Sequence, residues 1–263
     1  ETGVKHKKTF DYIFNKTEAI TLEQSKLTLS KDITILSFSD SSMVDRNSSI
    51  IKVDSGWIVY SKNSESSILS FTSDGQFSGY IGHRGNGPGE YTSVYDVVVN
   101  QKSKVLEVLS DGGIFCYTFG GDFLDKKEVT YPAFSFAIDD RQNYWFYVGN
   151  NTTYGDAKMI CTDENIANVA YYLHQKSNML PMVENNFGRN GEWLTFHESL
   201  NHDLYTIENG KLDLSYAMDF PNYKLPKKLH ELSGMEVIEE LQRSNYASCL
   251  LYTSPSPRDR QKS

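Results

Sequence analysis

The sequence predicts an all-β chain folded as a β-propeller of four-stranded antiparallel blades, and three observations carry that prediction. Tight-turn dipeptides recur at a nearly constant interval, a short apolar run enters each turn, and a second run precedes each of those by about ten residues. The dipeptides are Asp74-Gly75, Gly120-Gly121, Glu164-Asn165 and Asn209-Gly210, whose second members are spaced 46, 44 and 45 residues apart. Such pairs accept the positive φ of a tight hairpin, the third least readily.

The strands follow in order from these turns. Six and four positions before the second members stand Leu69 and Phe71, Phe115 and Tyr117, Met159 and Cys161, and Leu204 and Thr206, the alternation of one buried strand face. The preceding strands are read at 57–60, 105–108, 144–147 and 193–196, each after a polar turn such as Asp54-Ser55-Gly56 or Arg189-Asn190-Gly191. Innermost strands are read at 50–53, 95–99, 134–138 and 180–184, and outermost strands at 77–81, 123–129, 169–173 and 212–220. The blades therefore span about 48–82, 94–130, 133–174 and 180–221. A lone meander cannot bury both faces, and radial stacking supplies neighbours while leaving only short edges. A β-sandwich with the same spacing is the alternative, but a sandwich has no reason to repeat its turn chemistry.

Two flanking segments complete the reading of residues 1–247 as a partial propeller. Residues 33–36 read as an extra strand, of the kind that completes the last blade and closes the ring. Residues 225–244 carry Leu229, Leu232, Ile238 and Leu241 among Lys and Glu, with Pro226 near the start and Gly234 interrupting. That spacing predicts a surface helix covering an edge, with a partner-binding helix as the alternative.

Composition narrows the partners. The 263 residues carry a net charge of -8, the wrong sign for holding phosphate backbones, so no nucleic-acid partner is expected. No run of about 18 apolar residues occurs, so no membrane-spanning helix is expected. The chain opens Glu1-Thr2-Gly3, which leaves the presence of a leader undecided. Residues 249–259 read CLLYTSPSPRD, the translation of a DNA string that resembles a transposase-type sequencing adapter. Residues 248–263 are accordingly read as a non-native tail, with a disordered Ser/Pro-rich tail as the alternative. Outside that tail only Cys116 and Cys161 remain, too few for a disulfide framework and without zinc-ligand spacing, and no cofactor is predicted.

The stretch 70–123 looks like two consecutive NHL-type repeats. Within it, Gly85-Asn86-Gly87-Pro88-Gly89-Glu90-Tyr91 is similar to the G-x-GPGEY signature of a bacterial six-bladed propeller family that includes envelope lipoproteins of unknown function. The resemblance covers residues 20–247 and implies six blades, of which this chain supplies about four. It also implies a periplasmic or lipid-anchored location, the anchor lying in a preceding segment.

Catalytic patterns are sparse. Gly82 to Glu90 is Gly-rich, yet no Lys-Ser/Thr and no helix follow, so it is not a phosphate cradle. It reads as a compact connection between blades, with His83, Arg84, Glu90 and Tyr91 as the candidate binding residues at the mouth of the ring. His197 and His202 are one residue too far apart for a zinc helix motif, and Asp111, Asp122 and Asp125 read as turn residues. No Gly-x-Ser-x-Gly elbow is present. The leading expectation is a non-enzymatic binding or scaffold module of the bacterial envelope, for a protein, peptide or glycan ligand. The first alternative is a metal-dependent propeller lyase or lactonase, for which the assigned inner strands offer mainly Asp96. The second is a carbohydrate- or peptide-recognition ectodomain using some of the 17 Tyr and 14 Phe at a rim. Sequons at Asn47, Asn150 and Asn151 matter only in a glycosylating host.

Overall fold

A computed structural model of the chain describes residues 8–11, 33–37, 44, 48–62, 67–149, 155–174, 185–190, 193–198, 201–219, 227–232, 236–237 and 239–240. Strand β1 (Lys8–Asp11) is followed by the first blade, β2 (Ser49–Val53), β3 (Gly56–Tyr60), β4 (Ile68–Thr72) and β5 (Phe77–Ile81). Two short parallel strands, β6 (His83–Arg84) and β7 (Glu90–Tyr91), lie in the connection to the second blade. That blade comprises β8 (Asp96–Asn100), β9 (Val105–Ser110), β10 (Gly113–Tyr117) and β11 (Phe123–Glu128). The third holds β12 (Ser135–Ile138), β13 (Tyr144–Tyr147), β14 (Ala157–Thr162) and β15 (Ala170–His174). The fourth holds β16 (Phe187–Asn190), β17 (Trp193–His197), β18 (Asp203–Glu208) and β19 (Lys211–Asp219). Each blade is an antiparallel meander in sequence order, and the four are arranged as a β-propeller. Strand β1 adds a fifth, parallel strand to the outer edge of the fourth blade, pairing Lys8 with Tyr216 through Asp11 with Asp219.

The turns explain why the repeat was visible. Thr72, Thr118 and Asp163 each open the connection between the third and fourth strands of a blade. Their backbone N–H groups donate to Gln76, Asp122 and Ala167, all at 2.9 Å. Their side-chain oxygens accept the N–H four residues on, at 3.0, 3.1 and 2.9 Å. The residue three positions on takes a left-handed φ: +89° at Gly75, +99° at Gly121 and +58° at Ile166. The third turn thus places its positive φ on Ile166 rather than on Glu164-Asn165, because the Asp163 side chain sets where the turn begins. The fourth is a two-residue turn with positive φ at both Asn209 and Gly210.

The described residues bear on three further expectations. The innermost strand of the fourth blade is β16, whose Asn190 pairs with Trp193; residues 180–184 lie outside the described residues. Residues 33–36 form no strand here, and only Ser37 makes a bridge, parallel to Gln76. Of 225–244, a 3-10 turn at Lys227–His230 and helical residues at 236–237 and 239–240 are described, with Leu229 and Val237 buried. The tail 248–263 lies outside the described residues.

The core is divided into seams between consecutive blades. Ile58, Tyr60, Ile68 and Ile81 of the first blade meet Val97, Leu106, Phe115 and Tyr117 of the second. Leu109, Ile114 and Cys116 on the other face of the second blade meet Phe136, Tyr144, Phe146 and Ile160 of the third. Trp145, Tyr147, Met159 and Cys161 then meet Leu194, Phe196, Tyr205 and Ile207 of the fourth. Middle blades therefore bury both faces, and β10, β13 and β14 are buried throughout. Burying each large side chain contributes roughly 1.5–3 kcal/mol relative to exposure, which makes the seams the main source of stability.

Candidate functional site

In every blade, the starts of the first and third strands and the ends of the second and fourth lie at one end of the sheet. This end forms one rim of the propeller, and it gathers three of the buried charges, Asp96, Lys158 and Glu198, while buried Asp139 follows the end of β12 at the opposite edge. Lys62, just after β3, pairs with Asp96 at the start of β8 at 2.8 Å, and both side chains are nearly buried. Asp96 also accepts the N–H of Phe136 in the third blade at 3.1 Å. Ser135 donates to Asn186 at 2.9 Å, carrying the link to the fourth blade. Lys158 at the start of β14 meets Glu198 after β17 at 2.8 and 3.0 Å, and Tyr147 donates to the same carboxylate at 2.8 Å. Each seam thus has a polar clasp beside its apolar filling. Burial, with the Asp96 charge beside it, pushes the Tyr60 hydroxyl up, so it stays a neutral donor.

A second buried acid, Glu107, sits deeper in the seam between the second and third blades. It accepts Asn100 at 3.0 Å and the Tyr144 hydroxyl at 2.7 Å. The sequence reading singled out Asp96 alone and missed Lys62, Glu107, Lys158 and Glu198. One signal was available: Lys158 stands in the otherwise apolar run of β14, and a buried ammonium requires an acid. Its partner lies 40 residues away, which no local pattern reveals.

The Gly-rich connection is a closed turn at the same rim. Gly85 donates to the Tyr91 carbonyl and Glu90 to the Gly87 carbonyl, both at 3.0 Å, while the Glu90 carboxylate accepts the Gly87 N–H at 2.8 Å. A Cβ on Gly85 would fall 1.9 Å from that carboxylate, so a side chain there would displace the Glu90 carboxylate from the loop. Tyr91 is 1% exposed, and its hydroxyl donates to Ile81 and accepts from Ile68, both at 3.2 Å. It anchors the loop from the first seam. His83 and Arg84 are exposed and Glu90 is half-buried, so these three present an imidazole, a guanidinium and a carboxylate to solvent. Arg84 is steadied by its Nε–H donating to the Thr92 carbonyl at 2.9 Å.

Beside this loop, Thr92, Ser93 and Tyr95 all donate to the exposed Asp111 carboxylate. Those bonds, from Thr92 first and Tyr95 next, hold its carboxyl below the usual carboxylate range. Asp111, read from the sequence as a turn residue, is thus also an anionic feature of the rim. Asp122 keeps the turn role, its N–H capped by Thr118. Burial pushes the Cys116 and Cys161 thiols to about 12, which makes them poor nucleophiles. Among the described residues, no group of three or more His, Cys, Asp or Glu side chains is arranged to hold a metal ion.

Comparison with known proteins places this geometry. A Bacteroides fragilis structure described as an exported protein superposes with a TM-score of 0.69 at 15% identity, covering 81% of this chain and 63% of that one. A Bacteroides vulgatus member of the DUF4221 family gives 0.48 at 10% identity, covering 72% and 62%. A streptogramin B lyase gives 0.46 at 18% identity, covering 70% and 57%. The chain spans less than two thirds of each of these structures. No curated protein sequence matches it. At the level of sequence the match is to a single described domain, running from residue 7 to residue 253, and the chain belongs to that family, the domain of unknown function DUF4934.

Proposed function

We propose that the chain is part of a non-enzymatic, six-bladed, NHL-like β-propeller that serves as a binding or scaffold module of the bacterial cell envelope, periplasmic or held to the membrane by a lipid. The observation that carries the reading is the fate of the rim acids. Asp96, the one inner-strand acid proposed as a metal ligand, is taken up by Lys62 and by the Phe136 N–H, and Glu198 by Lys158 and Tyr147. These carboxylates hold blades together, and a group so paired is not available to coordinate a metal. The exported Bacteroides neighbour supports the location, and four blades spanning 63% of its length support a ring of six.

His83, Arg84 and Glu90 are the ligand contacts in this reading, backed by the buried Tyr91, and the ligand is a protein, peptide or glycan. The charged rim recognises polar ligands by hydrogen bonding at preset positions. The test is to probe the purified chain against a glycan array and an immobilised peptide library. A hit that weakens at least about tenfold in the H83A/R84A variant, with unchanged thermal stability, is the expected result. Metal-dependent turnover of a small-molecule panel by the same preparation would replace this reading with an enzymatic one.

A further inference from the structure

We infer that Asp111 is a positioning residue for Arg84: by pinning the peptide unit between Thr92 and Ser93, it aims the guanidinium that the rim presents to a ligand, an assignment that rests on reading Arg84 as a ligand contact. Arg84 is exposed on β6, whose pairing with β7 sets its backbone opposite Tyr91. Backbone pairing alone leaves a long side chain free to choose among many rotamers. The choice is made at Nε, which donates to the Thr92 carbonyl at 2.9 Å. A guanidinium is planar, so a bond at Nε fixes its plane and with it the directions of the Nη groups.

The Thr92 carbonyl is in turn held by the turn between β9 and β10. It shares a peptide unit with the Ser93 N–H, which donates to the Ser110 hydroxyl at 3.3 Å. The two side chains that flank this unit end on one oxygen of the next residue: Thr92 Oγ1 and Ser93 Oγ donate to Asp111 Oδ2 at 2.6 and 3.1 Å. The Tyr95 hydroxyl donates to Oδ1, which fixes the carboxylate plane. Ser110 and Asp111 thus grip the peptide plane whose carbonyl receives Arg84. Hydrogen bonds to an ionised acceptor are shorter and stronger than neutral ones, so a carboxylate suits this grip better than an amide. Asp111 also differs from the clasp acids in what it joins. Asp96 and Glu198 have partners in other blades, whereas the donors to Asp111 lie in the connection that leads into β8 of its own blade. The three bonds on Asp111 therefore set a local geometry and hold no seam together.

The test reads Arg84 in the ligand-free chain, through solvent exchange of its Nε proton in nitrogen-edited NMR spectra, the signal being assigned by its loss in Arg84→Lys. Exchange is expected to quicken at least about tenfold in Asp111→Asn, which turns one acceptor oxygen into a donor, and in Thr92→Val. It is expected to stay within about twofold of the parent in Thr92→Ser, which keeps the hydroxyl. Amide protons of β9 and β10 are expected to keep the parent's exchange rates in these variants, which a purely stabilising role for Asp111 would not allow. Unchanged Arg84 exchange in Asp111→Asn or Thr92→Val would overturn the inference, as would quickening shared equally by Arg84 and the strand amides. Should Asp111→Asn fail to fold, the contrast between the two Thr92 variants decides. The arrays test whether Arg84 touches a ligand and the exchange measurement tests what aims it, so either can fail alone.

Discussion

The third and fourth blades differ most clearly in their tryptophans. Trp145 on β13 is fully buried, whereas Trp193, on the face of β17 turned away from the third blade, is 66% exposed. Both sit on the second strand of a four-stranded meander, so strand type does not separate them. The difference is the neighbour. The third blade is enclosed by the second and fourth, and successive side chains of β13 serve two seams: Tyr144 and Phe146 one, Trp145 and Tyr147 the other. Among the described residues the fourth blade has a seam on one face, which encloses Leu194 and Phe196 of β17, while His197 is buried at the strand's end. The burial of β17 alternates where that of β13 is continuous, while β3 and β4 of the first blade are nearly continuously buried.

The comparison predicts its own largest test. Trp145→Ala should destabilise the chain by about 3–5 kcal/mol in urea denaturation, and Trp193→Ala by less than about 0.5 kcal/mol. Equal losses would mean that the outward face of the fourth blade is covered in solution. The clasp of the same seam provides the next. Lys158→Met leaves Glu198 buried with only Tyr147 for support and should cost about 3 kcal/mol, while adding Glu198→Leu should restore most of the loss. A single variant within about 1 kcal/mol of the parent would show that Lys158 reaches water and that the clasp is open.

The smallest effect is alkaline. Cys116 and Cys161 line the two seams of the third blade, and burial raises each thiol from 9.0 to about 12. The unfolded chain loses these protons near 9 and the folded chain keeps them to about 12, so stability falls as pH rises between those values. Urea midpoints measured from pH 8 to 11 should decline, and the C116A/C161A variant should decline less steeply. An unchanged slope would place the thiols in contact with solvent.

Much of this architecture could be read in advance because its determinants are local. The turn from Thr72 to Gln76 carries its own instructions, a hydroxyl to cap the turn and a glycine for the left-handed residue, and the second blade repeats them at Thr118 and Gly121. The third blade hid its register because Asp163 and Ile166 perform the same roles without a glycine. The second half of strand β16, Arg189-Asn190, has the polar composition of a turn; its pairing with β17 is what makes it a strand. At the rim, the exposed His83 and Arg84 and the half-buried Glu90 lie in or beside a short motif. The burial of Tyr91 depends on its hydroxyl meeting backbone groups at Ile68 and Ile81.

What the amino-acid order settled alone is the unit: four strands, their turns and their apolar faces, since hairpin pairing and period-two alternation act over a few residues. Which faces became seams, and which acids became clasps, was decided only when blades stacked. Lys62 with Asp96 and Lys158 with Glu198 are pairings across blades, 34 and 40 residues apart in the chain. An isolated blade would leave those charges in water. Stacking removes the water, and from then on the energy of each charge depends on a partner that local sequence does not specify.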